Sequence, residues 1–111
     1  MSGVRVLRAG DDPKGWLAGP WESGLPLGIG YATEAIDEPH THDVVTEIYL
    51  VAAGTARAVI DGRSVEVSAG DVVIVEPHEV RSFTESSSDY RCFVLHVGGD
   101  GNADRRPAGA G

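Results

Sequence analysis

The chain is poor in features that several classes of function require. It has one cysteine, Cys92, in 111 residues, so no internal disulfide can form and a reducing, cytoplasmic setting is expected. Cations are scarce: 9 Lys plus Arg stand against 17 Asp plus Glu, a net charge of −8. Nucleic-acid binding needs clustered cations against phosphate, and anionic lipid repels an acidic surface, so neither partner is expected. No apolar run approaches the ~20 residues of a membrane span. Residues 1–8 carry Arg5 and Arg8 and lack the apolar stretch of a signal peptide. Aromatic residues make up only 6% of the chain. Helical periodicity is missing too. The best helix candidate is a single turn over residues 11–16, where Asp12 precedes Pro13.

What is present is unevenly placed. Residues 1–30 and 98–111 are each electrically neutral, so the whole −8 lies in residues 31–97, together with His40, His42, His78 and His96. Glycine is distributed in the opposite way. Of 15 glycines only Gly54, Gly62 and Gly70 fall between residues 31 and 97, at a spacing of eight. Regular turn signals between β-branched runs predict a small antiparallel all-β sandwich or barrel. Strands are expected near 4–8, 27–35, 46–53, 55–60, 64–67, 72–75, 81–85 and 90–97. Asp61-Gly62 marks a hairpin, since both positions tolerate positive φ. Pro77 ends the apolar run 72–75, because proline cannot donate to a ladder. One domain is expected: an irregular arm over 1–26 anchored by Trp16 and Trp21 (with a dimer contact or pocket lid as their second reading), a barrel over 27–97, and a Gly-rich disordered tail over 98–111. A core of this size folds alone, and dimerisation through an edge strand would support it.

The most informative segment is Pro39-His40-Thr41-His42-Asp43-Val44-Val45-Thr46-Glu47. On an extended strand, His40 and His42 face one side. Glu47 is an odd number of residues further on and rejoins that side only if the chain turns between Asp43 and Thr46, or if it sits on the next strand. Two imidazoles and a carboxylate match the triad that holds non-haem iron, and suit zinc, manganese, nickel or copper with another nitrogen. Two histidines alone would be ordinary on a polar loop. Glu47 at this spacing, with Gly54 at a turn seven residues later, favours a site.

The run His40-x-His42-x4-Glu47-x6-Gly54 resembles the first motif of the cupin superfamily. The run Gly70-Asp71-Val72-Val73-Ile74-Val75-Glu76-Pro77 resembles the start of its second. The resemblance covers roughly residues 30–97. It implies an all-β, single-domain jelly-roll β-barrel with a divalent metal held by His40, His42, Glu47 and a second-motif histidine. The second motif departs from the family at that histidine, because the position is Arg81, which cannot coordinate a metal. His78 takes the place of the motif's glycine. Three arrangements follow: three ligands with open positions, a sphere completed by His78 or His96, or Arg81 paired with Glu47 and no metal. The first is preferred.

Alternation places Arg81 on the same face as Phe83, inside the barrel, where it would clamp an anionic substrate. Tyr49, at i+2 from Glu47, is expected along the pocket or in the core. His96, flanked by apolar residues, is expected as a core histidine, with a pocket role second. The functional expectation is a metal-dependent cupin (iron, zinc, manganese or nickel) acting on a small molecule by isomerase, epimerase, lyase, cyclase or oxygenase chemistry. Glu47 or a nearby His would be proton carrier, Arg81, Tyr49 and His96 would contact substrate, and a homodimer would be the assembly. The alternative is a non-catalytic module that senses an anionic small molecule through Arg81.

Overall fold

A computed structural model describes residues 3–21 and 24–109. It is almost entirely antiparallel β structure in two sheets. The first sheet contains, in spatial order, β1 (Lys14–Ala18), β2 (Leu27–Ala32), β9 (Arg91–Val97), β4 (Thr46–Ala53) and β7 (Val72–Val75). The second contains β10 (Arg105–Pro107), β3 (Asp37–His42), β8 (Arg81–Ser86), β5 (Thr55–Ile60) and β6 (Arg63–Ser68). One helical turn, α1 (Gly101–Asp104), precedes β10. Among the described residues no helix is long and apolar enough to cross a membrane.

Period-two alternation decides which side chains enter. Along β4, Glu47, Tyr49 and Val51 point inward and are buried, whereas Ile48 and Leu50 point out. The inner faces meet in a core that includes Val51, Ala58, Val67, Val75, Phe83 and Cys92. Asp61 and Gly62 both take positive φ, 48° and 78°, and close the β5–β6 hairpin as expected. Gly54 has φ 72°, and a Cβ there would lie 2.7 Å from the Tyr90 backbone, so this turn admits only glycine.

The outward face of the first sheet is apolar. Register aligns Ile29, Leu95, Ile48 and Ile74 in one row across four strands, and Phe93, Leu50 and Val72 in the next. Val72 and Ile74, on the edge strand β7, are 57% and 58% exposed.

Three expectations require correction. Residues 4–8 form no strand; Val6 and Leu7 are exposed. The turn expected over 11–16 is replaced by the start of β1, because Gly15 and Trp16 pair with Tyr31 and Gly30 of β2, whose small residues leave room for the indole. Pro13 bonds through its carbonyl to Thr33 rather than starting a helix. The tail is not disordered over residues 100–108. Asp100 caps α1, β10 pairs with β3, and the Ala108 amide donates to the Pro39 carbonyl. Composition concealed this because the segment is held by hydrogen bonds and ion pairs, not by apolar burial. Arg105 pairs with Asp37 at 2.9 Å and Arg106 with Asp43 at 2.6 Å.

Candidate metal centre

β3 carries His40 and His42 on its inner face, each 1% exposed. The chain reverses over residues 43–45, so Glu47 returns to the same interior on β4, as its odd spacing required. Register supplies the remaining neighbours. His40 lies opposite Arg81 of β8, and Glu47 lies opposite His96 of β9. Ligand atoms of His40, His42 and Glu47 all lie within 4.8 Å of one another. The Nε2 atoms of His40 and His42 stand 4.0 Å from Oε1 and Oε2 of Glu47, respectively.

The ligand candidates differ in what holds them from behind. His40 Nδ1 lies 2.9 Å from the Glu38 carbonyl, which can only accept, so Nδ1 carries the proton and Nε2 turns its lone pair inward. Both ring nitrogens of His42 are buried without a hydrogen-bond partner among the described residues. Such an orphaned imidazole is costly unless something binds it. Burial pushes the His40 pKa down and that of His42 down to about 4, so both rings are neutral near pH 7, the form that binds metal.

Glu47 is the most heavily bonded side chain of the group. The Tyr49 hydroxyl and Arg81 Nη1 both donate to Oε1, the guanidinium from 3.3 Å. His96 Nε2 lies 2.5 Å from Oε2. Burial raises the Glu47 pKa, but the hydrogen bond and charge of His96, with Tyr49 and Arg81, outweigh it and bring the carboxyl to about 2. A carboxylate held charged so firmly is a poor proton carrier, because a general base needs a pKa near the working pH. The role expected of Glu47 therefore narrows to ligand and anchor. The donor set of two neutral imidazoles and one carboxylate fits a divalent metal.

Above this cluster lies a cavity of about 310 Å³. Trp16, Tyr31, Tyr49, Phe83 and Val94 line it, with the two β3 histidines, Glu47 and His96. Lys14, Glu34 and Arg105 are its exposed charged lining residues.

A cupin domain family model matches residues 30–98. The chain belongs to the cupin family. No curated protein sequence matches this cupin. Among solved structures it is similar to a variant of PAC13 from Streptomyces with uridine, at TM-score 0.75 and 11% identity, covering 98% of this chain and 92% of that one. It is also similar to KdgF from Halomonas sp., at TM-score 0.68 and 18% identity over 86% and 88% of the two chains. A cupin 2 conserved barrel domain protein from Salinispora arenicola CNS-205 matches at TM-score 0.66 and 21% identity, over 86% and 90%. These likenesses concern the fold.

Not every residue expected at the site is there. His78 is on an exposed turn at φ 72°, with its side chain 75% exposed and its ring 4.0 Å from Asp43, so it cannot complete the sphere. Arg81 is inside the barrel as alternation required, yet it is 0% exposed and forms no part of the cavity wall. Its guanidinium is taken by Glu47 and by the Glu76 carbonyl at 2.9 Å, so the expected clamp on substrate is not available. His96 is more than a core histidine: it bonds Glu47, lines the cavity, and packs edge-on against His42 and Trp16, at centroid distances of 5.1 and 4.6 Å. Trp16, expected first as an anchor of the arm and second as a dimer contact or pocket lid, lines the cavity. Asp104, whose Oδ2 lies 3.8 Å from His42 Nδ1, escapes sequence reasoning because it lies in a tail whose composition gives no sign of order.

Proposed function

We propose that this cupin binds one divalent metal through His40, His42 and Glu47 and transforms a small molecule in the cavity above it. The observation that carries the reading is the convergence of two neutral, buried imidazole Nε2 atoms on opposite oxygens of a carboxylate that stays charged. A metal there would supply a Lewis acid to polarise a substrate oxygen, or, as iron, a means of activating oxygen. The chain supplies the rest. Trp16, Tyr31 and Phe83 give the substrate an apolar wall that excludes water. His96, on the cavity wall and 2.5 Å from Glu47, is the side chain placed to move a proton. Isomerase, epimerase, lyase, cyclase or oxygenase chemistry all fit such a site. PAC13, similar in fold, is described as a nucleoside dehydratase.

Untagged protein, stripped with chelator and incubated in turn with iron, zinc, manganese and nickel, should retain about one metal per chain after desalting. His42→Ala protein should retain none. Absence of all four metals from the wild-type protein would overturn the reading.

Arg81 does not favour a sensing module, since a guanidinium with no exposed surface cannot grip a ligand. A cytoplasmic setting accompanies the enzymatic reading, with Cys92 as a buried free thiol. The assembly in this reading is a homodimer. Two copies of a chain carrying −8 must meet over an uncharged area. The apolar rows from Ile29 to Ile74 provide one that can pair with itself. Light scattering should give twice the chain mass for the wild type and one chain mass for Ile74→Lys.

A further inference from the structure

Three successive inward positions of β2 carry almost no side chain. Gly28, Gly30 and Ala32 stand opposite His96, Val94 and Cys92 of β9, and alternation turns all six to the interior. The Trp16 indole takes the space over the first two: a Cβ at Gly28 or Gly30 would lie 3.3 or 3.1 Å from it. Ala32 offers only a methyl group to the cavity. Beyond Trp16 the interior therefore stays open along β9. Its wall runs from His96, beside Glu47, to Cys92 four residues away, about 13 Å at ~3.3 Å per residue.

The two ends differ in chemistry. The near end holds the imidazoles and Glu47. The far end is formed by Ala35, Phe83, Tyr90, Cys92 and Val94, and its few polar side-chain atoms are already engaged. The Cys92 thiol lies 3.3 Å from the Phe93 carbonyl and bonds the Tyr90 hydroxyl. Tyr49, between the ends, gives its hydroxyl to Glu47, and the Tyr31 oxygen takes the Gly10 amide at 3.2 Å. A hydroxyl or charge placed at the far end would lose water and gain no partner. The mouth does not select for an ion either. Lys14 and Arg105 are matched in number by Glu34 and Asp37, with Arg105 bonded to Asp37, and Ile36 beside them is 67% exposed.

We propose that the substrate is an apolar small molecule with a single oxygen-bearing head. A ring or branched alkyl body packs against Phe83, Val94 and Cys92, and a carboxylate, hydroxyl or carbonyl meets the metal ligands. The cavity of about 310 Å³ suits a molecule of roughly ten non-hydrogen atoms, since it would hold about ten waters. Sugars and nucleosides fit poorly, because their hydroxyls would lie unpaired along the far wall. The inference rests on the proposed function for the role of the head, but the body should bind without metal.

Cyclohexanol and myo-inositol share one carbon ring and differ in their hydroxyls. Each is titrated into metal-free protein and followed by ¹H–¹⁵N spectra. Cyclohexanol should shift the amides of Ala32, Val94 and Cys92 saturably, and inositol should not. In zinc-loaded protein, cyclohexanecarboxylate should bind at least about tenfold tighter than glucuronate, which carries the same head on a hydroxylated ring. Ala32→Phe fills the space and should weaken cyclohexanol at least about tenfold; if it does not fold, Val94→Phe makes the same test. Inositol or glucuronate binding as well as its apolar counterpart would overturn the proposal. So would cyclohexanol affinity within about threefold of wild type in the folded variant. Metal uptake without cyclohexanol binding overturns this inference alone. Cyclohexanol binding by protein that takes up no metal overturns the metal reading and supports the apolar body.

Discussion

Glu47→Gln should destabilise the protein by about 3–5 kcal/mol and abolish metal binding. The stability loss comes chiefly from Arg81. Its guanidinium is 0% exposed and has the carboxylate of Glu47 at 3.3 Å and the carbonyl of Glu76 at 2.9 Å as its hydrogen-bonded partners. An amide in place of the carboxylate leaves a buried cation without a counter-charge, which typically costs about 3–5 kcal/mol. The neighbouring imidazoles offer no compensating negative charge. Urea unfolding of metal-free protein measures the effect without any contribution from bound ion. The double variant Glu47→Gln, Arg81→Met should regain most of the loss, because replacing both charges removes the uncompensated one. A double variant no more stable than Glu47→Gln would show that the pair is not the source of the defect.

Arg81→His should have the opposite effect on metal. At present the Arg81 cation bonds the same carboxylate that a metal would use, competing for Oε1 and repelling a second positive charge. A histidine there would remove the cation and place an imidazole opposite His40 in the β3–β8 register. Zinc affinity should rise at least about tenfold, or 1.4 kcal/mol, while the metal-free protein becomes less stable because Glu47 loses a partner. Isothermal titration and urea unfolding measure these two changes separately. An affinity that stays level or falls would mean that Arg81 supports the ligand geometry rather than opposing the ion.

Much of this arrangement could be read in the sequence, and the reasons are specific. Alternation on β3 and the turn before Thr46 put His40, His42 and Glu47 together because strand geometry leaves few choices. The strands from β4 to β9 were legible because Gly54, Gly62 and Gly70 punctuate them. Arg81 was placed in the interior by its parity with Phe83. Its pairing with Glu47 is one of three arrangements the sequence allows, and the choice among them depends on pairing between distant strands. His78 and Arg81 each had a suitable chemical type. Only the fold shows that one is outside and the other lies behind Glu47. The tail was misread because low hydrophobicity predicts disorder only when burial is what holds a segment. Here Asp104 and β10 are held by backbone hydrogen bonds, which leave little trace in composition.

The closure by β10 also has a kinetic consequence. The bond from the Val45 amide to Asp104 spans 59 residues, and the ion pair between Asp37 and Arg105 spans 68. Contacts so distant in sequence form late, because the entropy of closing the loop must be overcome before they contribute. The local hairpin β5–β6, joined through Asp61-Gly62, can form early. The ligand strand β3 therefore acquires its outer neighbour only when nearly the whole chain has been made and collapsed. A partly folded chain would expose His40 and His42 without the segment that completes their surroundings, so ion capture should coincide with the final step of folding.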